Sequence, residues 1–400
     1  MKIIDRPRYL DRLKRLRGTP DIKILTGLRR SGKSELLKSF EDYLRDNEKN
    51  LNIIKIDFND LSFDNLKDYQ RLFAYVEDKF DADMDNVLMI DEVQLCNKFE
   101  LAINSFHNSK KYDIYLTGSN AFLLSSDLAT LFTGRFIEIS VFPFSFKEYC
   151  EYFDLQGNYA DHLEDYLIEG GLAGSYVYKD REDAVAYIKD VYNTLIKRDL
   201  IDRYGISDLA LLDNILEFLM DNISNLTTAS NISRTLNANN MTTNHVTIGN
   251  YIKYLCNAFV FYKVKRYDIR GKKYLQTSDK YYLSDLSFRY AILGVRNIDY
   301  GRAYENIVAI ELLRRGYDIY VGTLYQKEVD FVAMKGDEKF YIQVSDNISN
   351  ESTFAREVDP LLSIRDAYPK VILANTRHPM YMHKGVKIMD IARWLMGDEE

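Results

Sequence analysis

Eight residues, Gly27-Leu28-Arg29-Arg30-Ser31-Gly32-Lys33-Ser34, fit the spacing GxxxxGK[ST] and carry the strongest chemical signal in the chain. Glycines in such a run let successive backbone N–H groups curl round phosphate oxygens, and a helix beginning there turns its positive dipole end to the same anion. In this arrangement Gly27, Arg30, Ser31 and Gly32 shape the cradle, Lys33 reaches the β and γ phosphates, and Ser34 sets its hydroxyl on Mg2+. The expected ligand is ATP with Mg2+.

A second group follows where such a ligand needs it. Val87-Leu88-Met89-Ile90 is a short apolar run that delivers Asp91 and Glu92 at its end, and open parallel sheets hold their ligands at the C-terminal ends of strands. Asp91 is expected to bind the magnesium through water and Glu92 to polarise the attacking water, because phosphoryl transfer depends on in-line positioning more than on covalent chemistry. Ile114-Tyr115-Leu116 is another apolar run, ending in Thr117-Gly118-Ser119-Asn120, whose hydroxyls and amide are suited to a γ phosphate or the water.

The elements that must position these groups alternate. Ile22 to Thr26 reads as a buried strand, Ser34 to Tyr43 as a helix, and Ile53–Phe58, Val87–Ile90 and Ile114–Thr117 as further strands separated by polar helical stretches. That order predicts an α/β unit with a parallel sheet covered on both faces, spanning residues 1–145. Residues 146–206 read as a helical connector interrupted at Gly170 and Gly171. In 207–290, three helices (Leu209–Ile223, Thr228–Leu236, Asn244–Ala258) precede two β-rich runs, Phe259–Tyr267 and Tyr274–Leu283, which suggests a winged helix. Residues 300–400 read as a helix Tyr304–Arg315, strands Asp318–Val321, Val329–Met334 and Phe340–Val344, a helix from about Ser352 to Tyr368, and a strand Val371–Ala374.

The hairpin of the third unit is basic: Lys263, Lys265, Arg266, Arg270, Lys272 and Lys273 fall close together with one acid, Asp268, among them. On a wing these residues grip DNA phosphates while the helix Asn244–Ala258 enters a groove, with Asn244, His245, Thr247 and Asn250 as base readers. The same pattern also fits a winged helix that docks on a protein.

The chain resembles the AAA-type ATPases of bacteria and archaea that carry a C-terminal domain of unknown function, the family numbered 4143. The resemblance rests on the phosphate loop, on Leu88-Met89-Ile90-Asp91-Glu92-Val93-Gln94, on Leu116-Thr117-Gly118-Ser119-Asn120, and on Leu131-Phe132-Thr133-Gly134-Arg135-Phe136 followed by Pro143-Phe144-Ser145-Phe146. It implies that Thr117 to Asn120 is the sensor-1 segment, with Asn120 in the catalytic set, and that Arg135 completes an ATP site, in its own chain or in a neighbour's. Asp199 matches a further position of the family without a chemical role. The last unit resembles the restriction-endonuclease-like fold, which implies a metal site from Glu305, Asp330 and the strand position Gln343. Gln343 lacks a charge and Ser345 cannot replace a lysine, so the expectation is a nuclease-shaped domain with a remnant site and little or no cleavage.

Composition bounds these readings. Four hundred residues exceed one core, and 46% hydrophobic residues with six prolines exclude wholesale disorder. A net charge of -7 has the wrong sign for a protein that coats nucleic acid, so DNA contact is expected to be local. Cys96, Cys150 and Cys256 lack metal-ligand spacing and read as reduced packing residues of a cytoplasmic protein. No run approaches the ~18 apolar residues of a membrane span. The leading function is a nucleotide-controlled switch acting on DNA or a protein partner, with homo-oligomers left open. An ATP-licensed nuclease and an ATP-dependent DNA-binding regulator are the alternatives.

Overall fold

The computed structural model describes residues 2–119, 135–239, 241–295 and 298–397. The chain divides into two compact units, one built on residues 4–142 and the other on 143–256 and 260–400.

In the first unit, strands β1 (Ile22–Thr26), β2 (Leu51–Asp57), β3 (Asp85–Asp91), β4 (Tyr112–Gly118) and β5 (Phe136–Ser140) form one sheet in the order β2-β3-β4-β1-β5. Every neighbouring pair is parallel. Alternation splits the apolar run of β3 between two cores. Leu88 and Ile90 join Ile24, Ile56, Leu116 and Phe106 on one face, while Val87 and Met89 join Leu25, Phe40, Leu44 and Tyr115 on the other. Helices Tyr69–Asp78 and Phe99–Ser109 cover the first face, and Pro7–Leu16 and Lys33–Asn47 the second. An all-parallel sheet buried on both sides leaves its strand ends as the place where polar groups meet solvent.

The second unit begins with helices Phe146–Phe153, Tyr159–Glu169 and Arg181–Leu195, the last running into a π-helical turn Ile196–Ile201 that contains buried Asp199. Helices Leu209–Asp221, Ala229–Ala238 and His245–Asn257 follow, as the periodicity predicts. Strands β6 (Phe261–Asp268), β7 (Lys273–Leu283), β8 (Asp318–Leu324), β9 (Lys327–Lys335), β10 (Glu338–Ser345), β11 (Lys370–Ala374), β12 (Tyr381–His383) and β13 (Val386–Asp390) then build a single eight-stranded mixed sheet. Its order is β12-β13-β11-β10-β9-β8-β6-β7. The hairpin that the sequence suggests as a wing is therefore a member of this sheet, because Arg266, Tyr267 and Asp268 pair in parallel with Val321, Gly322 and Thr323. Helix Glu351–Leu362, with Pro360 inside its last turn and Ser363 at its C-cap, stops short of the expected Tyr368.

No helix among the described residues is long and apolar enough to cross a membrane. All three cysteines are free, with Cys96 and Cys150 buried.

Candidate nucleotide site

The phosphate loop leaves β1 at Thr26 and enters the helix Lys33–Asn47. Gly27 has φ +138°, and a Cβ there would lie 2.1 Å from the Val141 carbonyl oxygen, so only glycine lets β1 turn this close to the chain after β5. Arg30 and Gly32 both take positive φ, which turns successive N–H groups to one side. Arg30 itself is exposed. Arg6, which no sequence pattern marks, braces the loop from behind: its buried guanidinium donates to the Ser31 carbonyl and the Phe142 carbonyl, each at 2.9 Å, and stacks on Tyr9. Lys33 Nζ donates to the carbonyls of Gly27 and Leu28 at 3.0 and 2.9 Å, which holds the ammonium over the loop. Ser31 Oγ is buried without a hydrogen-bond partner among the described residues, an orphaned polar atom of the kind a phosphate oxygen satisfies.

The two carboxylates arrive at the C-terminal end of β3. Asp91 accepts hydrogen bonds from the hydroxyls of Ser34 and Thr117, while burial pushes its pKa up. Thr117 Oγ1 in turn accepts from the Glu92 N–H at 2.9 Å. One buried hydroxyl on β4 thus fixes both acids, and it is spent on them rather than facing a γ phosphate. Glu92 sits in the left-handed region at φ 52°, and Ser119 Oγ donates to its carboxylate at 3.1 Å, with Gln94 donating to the same oxygen. Ser34, Asp91 and Glu92 are therefore gathered beside Lys33, in reach of a magnesium and of a water. Such a set fits Mg2+ with ATP, whose oxygens and metal would meet the hydroxyl, the ammonium and the carboxylates.

Two expected residues fall elsewhere. Asn120 lies outside the described residues. Arg135 precedes β5, whose first residue, Phe136, is in register with Ile22 at the start of β1. That places Arg135 at the sheet end opposite the phosphate loop, separated by about 13 Å of strand, and its exposed guanidinium donates to Asn108 Oδ1 at 2.7 Å. That span separates Arg135 from its own chain's loop.

In the second unit, the structure brings Glu305, Asp330 and Gln343 together and adds residues that the sequence pattern does not single out. Lys280, buried on β7, places Nζ 2.8 Å from Glu305, 2.8 Å from Glu328 and 3.7 Å from Asp330. Tyr282 donates to Glu305 at 2.7 Å. Gln343 accepts from the Asp330 N–H and donates to Glu357 on the helix Glu351–Leu362. Burial pushes the Asp330 carboxyl up to about 8, with Glu305 adding to the rise and Lys280 opposing it. No group of three or more metal-ligating side chains among the described residues is arranged to hold an ion. A cleft of about 910 Å³ opens over this cluster.

Of the basic hairpin residues, Lys263 is paired with Asp279 at 2.7 Å and Arg266 donates to Thr323 at 3.2 Å. Lys265, Arg270, Lys272 and Lys273 are exposed. Asn244, expected to read bases, caps its helix instead, accepting from the N–H groups of Val246 and Thr247.

A family profile described as an AAA domain matches residues 19–150, and one described as a domain of unknown function, DUF8612, matches residues 160–299. The second is a different domain family from the one the sequence suggested. An uncharacterized protein of Haemophilus influenzae is 37% identical over 399 residues, covering 98% of this chain and 99% of its own. An uncharacterized protein of Methanocaldococcus jannaschii is 24% identical over 361 residues, covering 84% and 77%. Among solved structures, AMPPCP-bound DnaA from Aquifex aeolicus matches at TM-score 0.34 and 16% identity over 64% of this chain and 89% of that one. The Aeropyrum pernix ORC1 protein in complex with DNA matches at TM-score 0.33 and 10% identity over 79% and 95%. At those scores neither structure bears on activity or partners.

Proposed function

Because this chain belongs to the family of the Haemophilus influenzae protein and carries an AAA domain, we propose that it binds and hydrolyses ATP with magnesium and uses the nucleotide as a switch on contacts with DNA or a protein partner. The observation that supports this most is the hydrogen-bonded chain from Ser34 through Asp91 and Thr117 to Glu92. It ties the loop residue suited to magnesium to both carboxylates needed for hydrolysis.

Magnesium supplies charge neutralisation across the phosphates when bound. Lys33 would hold the β and γ oxygens, Ser34 and Asp91 would hold the metal, and Glu92 would take a proton from the water as the water oxygen bonds the γ phosphorus and the bond from that phosphorus to the bridging oxygen breaks, releasing ADP. Asn120 stays a proposed contact to the γ phosphate. Arg135, at the far end of its own sheet, serves the site of a neighbouring chain in this reading, which makes the working form a homo-oligomer. The switch itself requires that ATP and ADP interact differently with two states of the chain. Calorimetric titration of Mg-ATP tests the site: Lys33→Ala is expected to weaken binding at least about thirtyfold, since truncating one partner of a buried charge pair costs about 2 kcal/mol or more. Unchanged affinity in that variant would refute the assignment.

DNA cleavage by the C-terminal cluster is the weaker reading. What speaks against it is Lys280, an ammonium already neutralising the carboxylates a metal would need. Supercoiled plasmid incubated with the protein and Mg2+ or Mn2+ is expected to stay intact; nicking by the wild-type chain that is lost in Asp330→Ala would establish cleavage by this cluster.

A further inference from the structure

The end of the eight-stranded sheet near the β6–β7 turn combines exposed aromatic rings with cations. Tyr267 and Tyr274 are cross-strand partners on β6 and β7, and Tyr320 on β8 lies against both, with centroids 6.0 and 5.0 Å away. Tyr267 is buried in the core beneath, whereas Tyr274 is 59% exposed. The exposed ring is thereby held by the two below it, so little side-chain freedom remains to be lost on binding. Further along the same face, Lys339 lies over the rings of Tyr267, Tyr341 and Tyr368 at 5.3, 4.9 and 5.0 Å, and Tyr368 is 43% exposed. At the turn, Arg270 lies over the ring of Tyr325.

The charges there favour an anion. Asp268, the acid of the turn, is occupied by the N–H groups of Arg270 and Gly271. Asp366 accepts from the Tyr341 hydroxyl and stands 4.0 Å from Lys339. Lys272, exposed at φ 49°, and Lys339 repel each other; burial, together with that repulsion, holds the Lys339 ammonium below its usual range. The hairpin cannot serve as a free wing in a duplex groove, since β8 pairs along one side of it.

We propose that this strip binds single-stranded nucleic acid, with bases stacked on Tyr274 and Tyr368 and a phosphate held by the exposed Lys272. Aromatic faces accept any unpaired base, while a duplex keeps its base faces inside. The strip is independent of the phosphate loop, so its test does not depend on ATP binding. Fluorescence anisotropy of the full chain with dye-labelled oligo(dT) and oligo(U) of about 12 nucleotides reads the affinity, with a duplex of equal length as the comparison. Binding tighter to either single strand than to the duplex is expected. Tyr274→Ala should weaken it on the order of tenfold while Tyr274→Phe retains it. Lys272→Gln should reduce the slope of log affinity against log salt by about one. No binding at low salt, a preference for duplex, or full affinity in Tyr274→Ala would each overturn the proposal.

Discussion

The chain contains two clusters of carboxylates, and they are neutralised in opposite ways. At the end of β3, the Asp91 and Glu92 carboxylates receive hydrogen bonds from hydroxyls and a side-chain amide, all of them uncharged. On the C-terminal sheet, Glu305, Glu328 and Asp330 surround the ammonium of Lys280. Carboxylates held by neutral donors keep their charge available for an incoming cation. Carboxylates facing a tethered ammonium have already met theirs. The same residue type thus supports a nucleotide site in one region and a fixed ion cluster in the other.

The largest effect expected from breaking this contrast is at Lys280. Lys280→Met leaves buried acids without their partner and should destabilise the second unit by about 3–5 kcal/mol, read as a lower urea midpoint. If the midpoint is unchanged, the ammonium does not hold the cluster together. A smaller effect concerns pH. Asp330 is raised to about 8 in the folded chain, above its unfolded value of about 3.9. A carboxyl raised on folding stabilises the fold below the unfolded value, and that contribution is lost as pH rises through the folded one. The wild-type chain should therefore lose stability from about pH 4 to pH 8, and Asp330→Asn should flatten that part of the profile. Glu305, also raised by burial, leaves a residual slope. A profile in the variant as steep as in the wild type would assign the titration elsewhere.

What can be read from the sequence follows the same division. The phosphate loop and the Asp91-Glu92 pair are legible because each is contiguous, and a strand or a helix start is enough to aim them. Arg6 is not, since nothing local marks an arginine before Pro7 as the brace of a loop more than twenty residues away. Thr117 stands out at a strand end, yet its position alone points to the phosphate; only the pairing of β3 with β4 reveals that its hydroxyl serves Asp91 and Glu92. The C-terminal cluster is half legible. Glu305, Asp330 and Gln343 come from a pattern, but Lys280 and Glu357 reach the cluster only through sheet order and the packing of the helix Glu351–Leu362. The hairpin is readable as two strands, while its place in the larger sheet depends on a parallel pairing with β8 that no local signal encodes. Strands β12 and β13 are missing from the order expected of residues 300–400, although Lys384-Gly385, both at positive φ, and the alternation Val386, Ile388 are the signature of a tight hairpin.

Phosphate release from ATP by wild-type protein and by Glu92→Gln, with Mg-ATP affinity measured in parallel, tests the central claim most directly. The account predicts that the variant binds Mg-ATP as the wild type does and loses hydrolysis by on the order of a hundredfold or more. Equal hydrolysis by the two proteins would contradict it.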